Sequence, residues 1–128
     1  FPFRKSESDY DLELPANTGD EEMLAMVAKA LEITKQFDPE LILFQAGVDG
    51  LATDALGKLN ISRQGMSKRN EMVFDLAVEQ LIPTVVFMGG GYSDPIRHTI
   101  DAFVDLFHSA SRANNHFLNM VNLGDVDS

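Results

Sequence analysis

The chain contains no cysteine. That excludes disulfides, thiolate metal sites and cysteine nucleophiles, and leaves the compartment open. It is also poor in positive charge, with 10 Lys and Arg against 20 Asp and Glu and a net charge of −10. Affinity for nucleic-acid phosphate rests on Lys and Arg, so no direct nucleic-acid binding is expected. A cationic partner such as a lysine-bearing peptide fits this charge, although acidity also serves solubility. No apolar run approaches the ~18 residues of a membrane span. The start, Phe1-Pro2-Phe3-Arg4-Lys5, has no initiator Met and no signal-peptide pattern, and reads as a cut into a longer chain. Histidine is scarce: His98, His108 and His116 form no His-x-x-x-His and no Asp-x-His. Gly-x-Gly-x-x-Gly and Gly-Lys-Ser/Thr are absent as well, which weakens a nucleotide reading of Gly89–Gly91.

What is present suits one domain or a piece of one: 128 residues, 45% of them apolar. Two apolar runs stand out, Leu41-Ile42-Leu43-Phe44-Gln45-Ala46-Gly47-Val48-Asp49 and Thr84-Val85-Val86-Phe87-Met88-Gly89-Gly90-Gly91-Tyr92. Each reads as a buried strand that turns at glycine and then presents one polar side chain. A helical segment between them makes the strands parallel neighbours, and ligands bind along the carboxyl edge of such sheets. A carboxylate there suits a metal, and a phenol suits a developing oxyanion.

Strand and helix signals alternate along the chain. Residues 6–9 read as loop, and Tyr10-Asp11-Leu12-Glu13-Leu14 alternates like a short edge strand before Pro15. Thr18-Gly19-Asp20-Glu21 fits a capping box, and Leu24, Val27, Ala28 and Leu31 then predict a helix over 20–37, stopped by Asp38-Pro39. A strand at 41–46 and a long irregular loop at 47–61 follow; loops of that length are usually functional or disordered. Ser62 is a good N-cap for a helix from about 63 to 80 with Met66, Val73 and Ala77 on one face. After the second strand, Asp94-Pro95 reads as an N-cap and a first helical Pro. Ile96, Ile100, Phe103, Val104 and Phe107 carry that helix to about Arg112, and 113–128 reads as a tail. The order argues an α/β fold, three-layer α-β-α with a mainly parallel sheet. Three strands are a small sheet for runs so apolar, which also suggests that part of the domain is missing.

These residues resemble the histone deacetylase family, which includes acetoin-utilisation and acetylpolyamine amidohydrolase relatives. Ala46-Gly47-Val48-Asp49 followed by Thr53-Asp54-Ala55-Leu56-Gly57-Lys58-Leu59-Asn60-Ile61-Ser62 is similar to its aspartate loop. Gly89-Gly90-Gly91-Tyr92 resembles its glycine-rich turn with the catalytic tyrosine. Thr18-Gly19-Asp20-Glu21-Glu22 and Phe37-Asp38-Pro39-Glu40-Leu41 fit in order and spacing, and Lys68-Arg69-Asn70-Glu71-Met72-Val73-Phe74 leans toward the class IV branch. The resemblance spans roughly residues 10 to 110 and implies the C-terminal half of an arginase/deacetylase-type domain.

It also implies a chemistry. The family holds a zinc ion with two aspartates and a histidine, moves protons through a histidine pair, and stabilises the oxyanion of amide hydrolysis with a tyrosine. By motif, Asp49 is a zinc ligand and Tyr92 the oxyanion donor, with Leu56 lining the acyl-lysine tunnel and Gly90 and Gly91 shaping its wall and floor. The implied substrates are acyl-lysine peptides or acetylated amines, and the implied location is cytoplasmic, or nuclear in a eukaryote. The remaining ligands and the histidine pair lie earlier in the family's sequence and have no counterpart here, so this chain alone is expected to be inactive. Loss of the covering half is expected to expose apolar sheet surface and favour self-association.

Other readings compete. Taken without the neighbouring blocks, Asp49 caps a loop and Tyr92 packs its ring. Asp54 orders the loop through backbone amides; Asp101, Asp105, Glu21 and Glu22 are solvated faces; Phe103 and Phe107 are core; the histidines are helix residues without metal. A doubly wound signalling domain with Asp49 as phosphoacceptor lacks the acidic pair and the late Lys that it needs. A non-catalytic module on a deacetylase-derived fold stays open.

Overall fold

The alternating signals resolve into five elements in the computed structural model, which describes residues 7–124. They are α1 (Asp20–Phe37), β1 (Ile42–Gln45), α2 (Arg63–Glu79), β2 (Thr84–Phe87) and α3 (Arg97–Gly124). The opening residues, read as lacking a signal pattern, and the last four of the expected tail lie outside the described residues.

Each boundary has a local cause. Glu22 accepts the Gly19 N–H at 3.1 Å and satisfies one orphan donor at the start of α1. Gly19 is thus the N-cap, while the Thr18 hydroxyl donates to the Pro15 carbonyl. Asp38 ends α1 in the left-handed region at φ 54°, its N–H shared between the Thr34 and Lys35 carbonyls. Ser62 caps α2 by accepting the Gly65 N–H at 2.9 Å, and its own hydroxyl donates to Asp20, tying the first turn of α1 to that of α2. Such a cap is worth about 1 kcal/mol.

The strands pair in parallel, Ile42 with Thr84 through Gln45 with Phe87. Alternation sorts their side chains. Phe44 and Val86 turn toward α2 and α3, Phe44 meeting Phe74 edge-on at 5.9 Å. The core joins Met23, Ala46, Val48, Leu51, Ile61, Met66, Phe74, Ala102, Phe103 and Leu106. On the other side Leu43 and Val85 stay 65% and 50% exposed, and no described helix covers them.

Three expectations are corrected. Residues 10–14 are not a strand, so the sheet has two strands among the described residues. Leu12 and Leu14 do turn inward as their alternation predicts, but the segment does not join the β1–β2 ladder. The last helix starts at Arg97, not at Pro95: the Pro95 carbonyl accepts the His98 N–H at 3.2 Å in a three-residue turn, and the first α-helical bond runs from the Ile100 N–H to the Ile96 carbonyl at 3.2 Å. Nor is 113–124 a tail: α3 continues to Gly124. Leu106, Ala110, Ala113 and Phe117 recur at helical spacing, and Ala110 and Ala113 pack on the core. The polar run Asn114-Asn115-His116 between them hides that stripe in the sequence. Asp101 and Asp105 also do more than face solvent. They receive Arg63 of α2 at 3.4 and 2.6 Å, an exposed link between helices worth less than about 1 kcal/mol.

Candidate active site

The site is built where β1 and β2 run out. The parallel ladder continues past both strands, with the Ala46 N–H on the Phe87 carbonyl at 2.9 Å and the Val48 N–H on the Gly90 carbonyl at 2.6 Å. The two chain ends therefore stay in contact through Gly47 and Gly89. A Cβ on Gly89 would lie 2.9 Å from the Gly47 Cα, so the approach needs glycine. Asp49 emerges at this point, exposed, its carboxylate against Gly90: a Cβ there would meet Oδ2 at 2.9 Å. A Cβ on Gly91 would meet Val48 and Thr99 side chains at 2.6 and 2.8 Å. Gly90 thus keeps the wall beside Asp49 bare, and Gly91 lets the turn press onto the core.

Tyr92 follows directly and is 55% exposed. Its backbone is held by the long loop: its N–H donates to Asp54 Oδ2 at 2.7 Å, and its carbonyl accepts the Ala55 N–H at 3.1 Å. Asp54 Oδ1 accepts the N–H groups of Leu56 and Gly57 at 2.8 and 2.7 Å. The expectation that Asp54 orders the loop is met, and the order extends to the tyrosine turn. Burial alone would raise the Asp54 carboxyl, but the N–H groups of Tyr92, Gly57 and Leu56 outweigh it and hold the group below its ordinary 3.8. Its stabilisation is therefore present above that value and is lost as pH falls through the depressed one. Leu56 projects from the same loop, 71% exposed. Asp49, Gly90, Gly91, Tyr92 and Leu56 are thus gathered at one carboxyl edge, linked by backbone bonds.

One residue of this frame was not singled out from the sequence. Arg69 of α2 lies under the end of β1, donating to the Gly47 carbonyl at 2.8 Å and reaching the Ala46 carbonyl at 3.5 Å. Its guanidinium sits 5.6 Å from the centre of the Phe44 ring, a cation–π distance. Asn70 Oδ1, fully buried, accepts from Arg69 Nε and Nη2 at 3.1 and 2.9 Å. Burial lowers the Arg69 pKa to about 10, with Asp49 opposing; at neutral pH it remains a cation behind the Asp49 loop. The available signal was an arginine beside the apolar positions Met66, Val73 and Ala77.

Asp49 offers an exposed carboxylate at the mouth, the type of donor that could hold one position on a metal ion. Among the described residues no group of three or more His, Cys, Asp or Glu is placed to hold an ion. The three histidines are exposed on α3. A catalytic zinc with three protein ligands does not fit the described residues on their own. No described helix is long and apolar enough to cross a membrane.

Comparison with known proteins agrees with this architecture. The family model described as the histone deacetylase domain matches residues 4–106. An uncharacterized protein of the cyanobacterium Picosynechococcus sp. is 35% identical over 113 residues, 88% of this chain and 37% of that protein. Histone deacetylase 2 of Arabidopsis thaliana is 41% identical over 85 residues, 66% of this chain and 22% of its own length. The crystal structure of acetylpolyamine aminohydrolase from Burkholderia pseudomallei superposes with a TM-score of 0.67 at 19% identity, over 77% of this chain and 27% of that one. The fold is therefore an α/β fragment of arginase/deacetylase type, and the chain spans well under half the length of these relatives.

Proposed function

The chain belongs to the histone deacetylase domain family, and on that premise we propose that it is the C-terminal half of a zinc-dependent amidohydrolase acting on acyl-lysine or acetylated-amine amides. The observation that carries the reading is the juxtaposition of the Asp49 carboxylate with bare Gly90 and of Tyr92 with the loop that bears Leu56. In this reading Asp49 supplies one zinc ligand, and the others come from a preceding part of the parent protein. When bound, the zinc would polarise the amide carbonyl and lower the pKa of a water. The Tyr92 hydroxyl donates a hydrogen bond where negative charge develops. Leu56 lines the acyl chain's path, and Gly90 and Gly91 leave its wall and floor free of side chains.

The reading is tested at two levels. The full-length parent should deacylate an acetyl-lysine peptide, lose the activity to a chelator and regain it with zinc. An inactive parent would instead favour a non-catalytic module on the same fold. The isolated chain should bind zinc weakly in isothermal titration, because one carboxylate does not hold the ion; tight one-to-one binding would sink the ligand assignment.

We also propose that the isolated chain self-associates as a dimer. Leu43, Val85 and Phe87 are exposed on one face of the sheet, and Met88, just past β2, is exposed beside Ile100, Val104 and Phe107 of α3. Both strands are edges, which pair readily with other chains. The charge of −10 opposes this, so added salt should strengthen it. Light scattering at high micromolar concentration should give a dimer mass; a clean monomer counts against the idea.

A further inference from the structure

Asp54 divides its carboxylate between two segments. Oδ1 takes the Leu56 and Gly57 N–H groups within its own loop, and Oδ2 takes the Tyr92 N–H, 38 residues away. Around it the backbone closes a clamp. The Ala55 N–H donates to the Tyr92 carbonyl at 3.1 Å, and the Asp94 N–H donates to the Thr53 carbonyl at 3.1 Å. The Thr53 and Ser93 hydroxyls meet at 3.0 Å, and Asp54 pairs with Ser93 as an isolated bridge. Among the described residues, Asp54 is the side chain of this clamp that grips the Tyr92 amide. Tyr92 as a residue is 55% exposed, so packing covers less than half of it.

We infer that Asp54 is a positioning residue for Tyr92, coupling the loop that carries Leu56 to the turn that carries the phenol. The inference rests on the reading of Tyr92 as oxyanion donor. Charge-assisted bonds to backbone N–H groups are among the stronger hydrogen bonds. They matter here because a misplacement of about 1 Å in a catalytic group costs on the order of 10²-fold in rate. Leu56 and Tyr92, one on the acyl-chain side and one on the oxyanion side, are then set by the two oxygens of a single carboxylate.

The split between the oxygens makes the test selective. In Asp54→Asn the carbonyl oxygen still serves Leu56 and Gly57, but the amide nitrogen that replaces Oδ2 cannot accept from the Tyr92 N–H. In the full-length parent, Asp54→Asn should lower kcat on the order of tenfold to a hundredfold with KM little changed. Combined with Tyr92→Phe it should add little, because the group it positions is already gone. Equal losses in the two backgrounds would show that Asp54 acts elsewhere and overturn the inference. So would an unchanged kcat in Asp54→Asn alongside a large loss in Tyr92→Phe. If Tyr92→Phe itself has no effect, it is the oxyanion reading that fails. The unsubstituted chain supplies a test that needs no variant. Its Tyr92 amide should exchange with deuterium markedly more slowly than an unprotected loop amide, and exchange at the unprotected rate would refute the bond on which the inference stands.

Discussion

In the intact parent, Asp49→Ala is expected to lose metal and activity together, whereas Tyr92→Phe should keep its metal and lose about 10²–10³ of turnover. The two residues follow neighbouring strands, and the proposed reading gives them different work. Asp49 offers an exposed carboxylate beside Gly90, and two remaining ligands do not hold zinc in geometry. Tyr92 presents a phenol on a turn whose backbone is clamped by Asp54 and Ala55, so removing its hydroxyl leaves the frame in place. The hydrogen bond it makes strengthens mainly in the transition state, so KM should move far less than kcat. Metal content by atomic absorption, set beside steady-state kinetics, separates the roles. Near-normal turnover in Tyr92→Phe, or full zinc in Asp49→Ala, would show the assignment to be wrong.

Gly57→Ala is expected to destabilise the chain by about 3 kcal/mol, the upper end of overpacking costs. A Cβ at this position would lie 1.8 Å from the Asp49 carbonyl oxygen and 3.0 Å from its carbon. Neither backbone can yield cheaply. The Gly57 N–H is bound to Asp54 at 2.7 Å, and the Asp49 segment is bracketed by the Val48 N–H on the Gly90 carbonyl at 2.6 Å. Relief of the overlap therefore shifts Asp49 itself, and in the parent the variant should also retain less metal. Gly50→Ala is the matched control. Its Cβ would meet the flexible end of Met66 at 3.3 Å and should cost less than about 1 kcal/mol. Denaturant melts of the two variants decide the matter, and equal midpoints would remove the steric explanation.

Much of this was legible in one dimension because its causes are local. The helix over 20–37 was readable from its apolar spacing and the Asp38-Pro39 stop, and α1 ends at Phe37. Ser62 announced α2, and it caps that helix. Asp49 and Tyr92 were readable because an apolar strand that turns at glycine presents its next polar side chain at the sheet edge. The segment 10–14 misled because alternation reports which side chains turn inward, not whether a partner strand lies alongside. The end of α3 was missed because Asn114-Asn115-His116 carries no helical signal, while Ala113 and Phe117 flanking them keep the inward stripe.

The sequence by itself determined the order and type of the five elements that form, though it also suggested a strand at 10–14 that does not; it determined the family to which the chain belongs, and it marked Asp49 and Tyr92 as the polar side chains past the two strands. Only the tertiary structure decided how those residues are held. Asp54 reaches a backbone N–H 38 residues away, and Arg69 reaches a carbonyl 22 residues back. Periodicity and capping act over one or two turns of chain. Bonds of that separation exist only once parallel pairing brings the ends of β1 and β2 together; in the sequence Asp54 shows only its local part in ordering the loop, and Arg69 does not differ from a solvated charge.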